Sequence, residues 1–195
     1  MELFPEADKF RDLYDKGQAQ VVWTSLVSDL ETPVSAFLKL AGESANSFLL
    51  ESVEGGAIRG RYSFIGLRPD MIWRCSGDLA EINRQALVEG SEYEPCQDGS
   101  IQSLKSFVDE SVIDLPPGLP PMAAGLVGYM AYDTVRLVEH LPDANPDVMG
   151  TPDGIFVRPT IIAVLITTST ANNETMPAAT KRPNGSRVAS ATTSP

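Results

Sequence analysis

FLLESVEGGAIRGRYSFIG, residues 48–66, sets two apolar runs on either side of a glycine-rich, charge-bearing loop. SFLLESV and RYSFIGL are each long enough for a strand, and Val53 to Gly60 join them, so a β-hairpin is the simplest arrangement. Glu51, Ser52, Arg59 and Arg61 sit at the seams between loop and strands. Side chains alternate along a strand, so Phe48, Leu50 and Ser52 share one face while Leu49, Glu51 and Val53 share the other. Two readings stand open on pattern alone. One is a solvated hairpin end with a surface Glu51–Arg61 ion pair, worth less than about 1 kcal/mol; the other is a ligand site that needs a bulge or a backbone contact to bring Glu51 and Ser52 together.

Working outward, the chain before the hairpin predicts a helix carrying Leu3, Phe10, Leu13 and Tyr14, then a strand at QVVWTSLV (20–27). A second helix follows at LETPVSAFLKLAG. Thr32 precedes Pro33 at a first-turn position, Val34, Phe37, Leu38 and Leu40 supply its apolar face, and Gly42 ends it. After the hairpin, DMIWRCSGD and LAEINR read as another hairpin turning at Ser76, Gly77 and Asp78. A polar stretch over 88–100 precedes a helix with Ile101, Leu104, Phe107, Val108 and Val112 on one face. LPPGLPPM reads as an extended linker because its prolines oppose helix and ladder pairing. GLVGYMAY is an apolar run whose small residues allow close backbone approach, making Gly125, Gly128, Tyr129 and Tyr132 packing residues; Asp133 caps a helix at TVRLVEHL. IFVRPTIIAVLI closes the strand-rich part.

The expected fold class is α+β, mainly antiparallel sheet with a few flanking helices, because hairpins dominate and no βαβ alternation is sustained. Two segments are expected: a domain over residues 1–165 and a low-complexity, disordered tail over 166–195, rich in Ser and Thr and poor in large apolar residues. So abrupt a change of composition is expected of a truncation or a shifted reading frame, with a natural disordered linker as the alternative.

Composition narrows the function classes. The formal charge of −11 over 195 residues opposes nucleic acid or an anionic membrane as partner. Cys75 and Cys96 are 21 positions apart, and His140 is the only histidine, so no zinc site is expected; two reduced, mostly buried thiols fit a cytoplasmic protein. MELFPEADKF lacks the basic and apolar regions of a secretory signal, and nothing approaches the ~20 apolar residues of a membrane span.

LLESVEGG followed by GRYSFIGL, then GLVGYMAYDTVRLVEHLP, with ETPVSAFLKLAG before them, resembles the N-terminal part of anthranilate synthase component I, the large subunit in the chorismate-utilising family. The resemblance covers residues 5–165 and implies a partial version of the large-subunit fold. It implies that the LLES and RYSF blocks line a pocket for tryptophan, the feedback inhibitor, at Leu50, Glu51, Ser52, Arg61, Tyr62 and Ser63. These residue types suit a free amino acid: a carboxylate for its ammonium, a guanidinium for its carboxylate, and Leu50 with Tyr62 to flank an indole. The resemblance further implies that chorismate binding, the magnesium ligands and the docking of a glutaminase subunit belong to the full-length enzyme. No catalytic or metal-binding residue and no cofactor is expected in this chain, which alone should be inactive. A free-standing amino-acid-binding module and a piece of aminodeoxychorismate synthase are the alternatives.

Overall fold

In the computed structural model the described residues are 2–51, 62–142, 146–166 and, as backbone only, 187–194. In chain order the elements are α1 (Ala7–Tyr14), β1 (Gln20–Val27), α2 (Pro33–Ala41), β2 (Phe48–Glu51), β3 (Tyr62–Ser76), β4 (Leu79–Asn83), β5 (Glu94–Pro95), α3 (Ser100–Glu110), β6 (Val127–Met130), β7 (Gly154–Ile166) and β8 (Arg187–Ser194). Antiparallel ladders join β1 to β8, β8 to β7, β2 to β3, β3 to β4, β4 to β5 and β6 to β7. The fold class is α+β, as expected. The chain divides into two compact units, and the long strands β3 and β7 contribute residues to both.

The first unit comprises residues 1–68, 113–124 and 160–195. Helix α2 begins where the sequence places it. The Thr32 hydroxyl accepts from the Ser35 amide at 3.1 Å and the Ser35 hydroxyl accepts from the Thr32 amide at 2.9 Å, so two amides that the first turn leaves unpaired are satisfied reciprocally. Gly42 ends the helix at φ +52°, a left-handed conformation that costs glycine least. The buried face differs from the expected one. Ala36, Ala41 and the partly buried Phe37 pack on Leu49, Ile65, Leu67, Ala163 and Leu165, while Val34 and Leu38 stay 52% and 65% exposed. Close approach of a helix to a sheet selects the small residues, not the largest ones. A second cluster sets Val21 and Trp23 of β1 against Ile113, Leu115, Leu119 and Ala123.

The proline-rich segment is not uniformly extended. Gly118 turns at φ +94° and Pro121–Ala123 form one 3-10 turn, with proline at a first-turn position where its missing N–H costs nothing. The segment read as a disordered tail also holds a surprise, for Arg187–Ser194 form β8 between β1 and β7. The physical reason is the open ladder: both neighbours present a row of backbone groups that a strand of almost any composition can pair.

The second unit comprises residues 69–112 and 125–159. Its core gathers Met71, Trp73, Cys75, Ala80, Ile82 and Phe107, with Leu104, Cys96, Leu126 and Phe156 around them. Helix α3 turns Ser100, Ser103 and Phe107 inward and leaves Ile101 and Val108 exposed, a rotation from the expected face, and it ends before Val112, which is exposed as well. Hydroxyls tolerate this because each has a partner: Ser100 donates to the Gly77 carbonyl at 2.7 Å, and Ser103 accepts from the Trp73 indole at 3.0 Å. Gly128 on β6 faces the Ile155 carbonyl so closely that a Cβ would stand 1.9 Å from it, whereas Tyr129 and Tyr132 are exposed rather than packed. Of TVRLVEHL only TVRL is helical, in a short 3-10 turn, Tyr132–Leu137; its start has no side-chain cap, and Asp133 instead accepts from Arg136 at 2.8 Å.

Candidate functional site

The hairpin read from the sequence forms, and its register decides what its side chains share. Phe48 lies opposite Gly66, Leu49 opposite Ile65, Leu50 opposite Phe64 and Glu51 opposite Ser63. Directly opposed residues point to the same face of an antiparallel pair. Leu49, Glu51, Ser63 and Ile65 therefore share the face that α2 covers, with Ser63 buried and Glu51 exposed where the described strand ends. Phe48, Leu50, Tyr62 and Phe64 share the reverse face.

That reverse face is apolar and organised by one glycine. The Phe48 ring sits over Gly66, where a Cβ would come within 2.1 Å of its Cζ. Tyr62 and Phe64 lie with ring centroids 6.0 Å apart in a tilted pair, inside the range for favourable aromatic contact. Leu50 is partly exposed beside them.

Of the six residues carried over from the resemblance, the ladder thus brings Glu51 and Ser63 together on one face and Leu50 and Tyr62 together on the other. Ser52 and Arg61 lie outside the described residues. Alternation already places Phe48 beside Leu50, but it does not reveal that Phe64 and Gly66 join them; the signal for that is a glycine in a strand at the register position of an aromatic residue.

The second unit holds charged and thiol groups whose environments assign them structural work. Arg158 donates from Nε and an NH2 group to both carboxylate oxygens of Asp70, at 2.9 and 2.7 Å, a bidentate pair with each side chain 25% exposed. These bonds hold the guanidinium pKa above its ordinary value. Arg74 stacks 3.8 Å over the Tyr93 ring and pairs with Glu81 directly across the ladder. Burial pushes both cysteine thiols up, Cys75 further helped by the Asp153 and Asp78 carboxylates, so neither is poised as a thiolate nucleophile. His140 is exposed beyond the 3-10 turn. Among the described residues no three His, Cys, Asp or Glu side chains form a cluster that could hold a metal ion. No described helix is long and apolar enough to cross a membrane.

No family model matches the chain. It is 48% identical over 158 residues to anthranilate synthase component 1 of Cereibacter sphaeroides, a match covering 81% of this chain and 32% of that protein. It is 39% identical over 140 residues to the protein of the same name from Thermus thermophilus, covering 72% and 28%, and 36% identical over 156 residues to that from Synechocystis, covering 79% and 30%. The chain therefore spans about three tenths of the length of these relatives, and the resemblance read from the LLES, RYSF and GYMAYD blocks holds.

Proposed function

The chain corresponds in sequence to part of anthranilate synthase component 1, and from that premise we propose that it is the amino-acid-sensing portion of such a protein. It binds tryptophan at the β2–β3 hairpin and does not by itself convert chorismate to anthranilate. The observation that carries this reading is the register, which sets the two motif blocks directly opposite each other, Glu51 against Ser63 and Leu50 against Phe64, two residues from Tyr62.

Tryptophan has a charged end and an apolar end, and a ligand straddling the end of β2 meets both kinds of surface. The Glu51 carboxylate takes the ammonium group and the Ser63 hydroxyl adds a hydrogen bond, while Leu50 and Tyr62 take the indole. Arg61 and Ser52, known here from sequence alone, complete the set as the carboxylate partner and a second hydroxyl. Phenylalanine lacks the second ring and the indole N–H, so it discriminates between a fitted site and a merely apolar one. Chorismate turnover, magnesium and a glutaminase partner belong to the remainder of such a protein, and a cytoplasmic setting follows from a soluble biosynthetic role.

Thermal melts with tryptophan, with phenylalanine and without ligand test the reading. At 100 times the dissociation constant, tryptophan adds about 2.7 kcal/mol. At the ~2–4 °C per kcal/mol usual for chains of this size, the midpoint rises by about 5–10 °C. Glu51→Ala removes the selective shift. Equal shifts with both amino acids, or none at millimolar tryptophan, overturn the proposal. In parallel, chorismate with magnesium and ammonia should yield no anthranilate fluorescence above the uncatalysed background.

A further inference from the structure

β8 lies between two strands of the first unit, β1 and β7. On one side of it, β7 buries Ile162, Ala163, Val164 and Leu165 in succession, the pattern of a strand covered on both faces. On the other side, β1 presents Val21 and Trp23 to one apolar cluster. The strand between them reads RVASATTS, with one large apolar residue, Val188. The registers place Ala191 between Trp23 and Ile162, Ala189 between Ser25 and Val164, and Thr192 between Val22 and Ile161. Two of these rows, Trp23–Ala191–Ile162 and Val22–Thr192–Ile161, begin and end in large apolar residues yet pass through an alanine or a hydroxyl residue in the middle, and the third runs from Ser25 through Ala189 to Val164.

Backbone pairing is fully used here, with eight residue pairs to β1 and six to β7. Side-chain chemistry is not. Cross-strand pairs of β-branched or aromatic residues are the unit of sheet stabilisation relative to alanine. From this mismatch we infer that the place between β1 and β7 is a strand-acceptor site, selective for an extended segment with β-branched apolar residues at the register positions of Ala189, Ala191 and Thr193. β8 occupies it through backbone hydrogen bonds and exchanges with such a segment supplied in trans. Recognition is by β-strand addition: main-chain bonds give affinity, alternate side chains give specificity. The competitor is intramolecular, because β8 is tethered to β7 through residues 167–186 and so has an effective concentration of order millimolar. An incoming strand succeeds only where its β-branched residues stabilise these rows more than alanine does.

The experiment uses the full chain and two labelled eight-residue peptides. One has the sequence of residues 187–194; the other has valine at the positions of Ala189, Ala191 and Thr193. Fluorescence anisotropy gives the affinity of each, and sedimentation gives the stoichiometry. The valine peptide is expected to bind at least tenfold more tightly, one peptide per chain. In the full-length A189V/A191V variant the chain's own strand holds the site, and the valine peptide should bind at least tenfold more weakly than to the natural chain. Equal affinities for the two peptides, no binding of either, or a complex containing two copies of the chain would each overturn the inference. Should the variant fail to fold, the comparison of the two peptides on the natural chain still decides.

Discussion

Gly66→Ala tests the packing of the candidate site where the geometry is sharpest. A Cβ at residue 66 would stand 2.1 Å from Cζ, 2.2 Å from Cε1 and 2.9 Å from Cε2 of Phe48. Non-bonded carbons settle at roughly 3.5–4.0 Å, so the ring must retreat by about 1.5 Å and leave its seat. Displacing a side chain in this way costs about 1–3 kcal/mol. Removing a glycine returns up to about 1 kcal/mol through the unfolded chain, so the net loss is about 1–2 kcal/mol. Phe48→Ala alone, at a half-buried site, should cost about 2 kcal/mol, below the range for a fully buried ring. The informative quantity is the coupling. With the ring gone its three close contacts vanish, so the double variant should be no less stable than Phe48→Ala, a coupling of about 1–2 kcal/mol. Urea unfolding of the four proteins measures it through the midpoints and slopes. Gly128→Ala is the contrast, because its Cβ meets the Ile155 carbonyl at 1.9 Å and the Phe156 Cα at 2.7 Å, backbone that no neighbouring side-chain truncation can clear. Additive effects of Gly66→Ala and Phe48→Ala, within about 0.5 kcal/mol, would mean that the Phe48 ring is not what the new methyl group meets.

Arg158→Met leaves the Asp70 carboxylate without its bidentate partner and should destabilise by about 2 kcal/mol, between the values for exposed and fully buried pairs, with Asp70→Asn/Arg158→Met costing less than the two single changes summed; chemical denaturation at low and high salt checks this. Thr32→Ala removes the acceptor of the Ser35 amide and should cost about 1 kcal/mol, seen as a lowered midpoint. For the two cysteines the pKa is raised in the folded state, so their contribution to stability is complete below the unfolded thiol pKa of about 8.5 and is lost as pH rises through the folded value. Denaturation between pH 7 and 10 should show stability falling on the alkaline side, and Cys75→Ala, whatever it costs at neutral pH, should flatten that fall.

Local chemistry was the legible part of this fold. QVVWTSLV becomes β1 with the expected ends, Thr32 and Gly42 bound α2, and Gly77 turns the β3–β4 hairpin at φ +55°, because β-branched runs, caps and positive-φ glycines act within a few residues. Facing was less legible. Ala36 and Ala41 are buried in preference to Val34 and Leu38 because the neighbouring strands approach closely, and Ser100 and Ser103 turn inward because partners distant in sequence satisfy their hydroxyls. Neither cause is written in the helix itself. For the candidate site, alternation correctly separated Leu50 from Glu51 and set Phe48 beside Leu50, but only the register showed that Ser63 joins Glu51 and that Phe64 and Gly66 join Leu50. β8 escaped notice because its composition is that of a linker, and its strand conformation follows from the ladders on either side of it.

If the LLES and RYSF blocks form one tryptophan site, the amide chemical shifts of the isotopically labelled chain should report both blocks at once. Titration with tryptophan should move the amides of Leu50, Glu51, Tyr62 and Ser63 together along one saturation curve, with phenylalanine moving them little and the α3 and β4 amides still. Shifts spread evenly over both units, or confined to one block, or identical for the two amino acids, would contradict it.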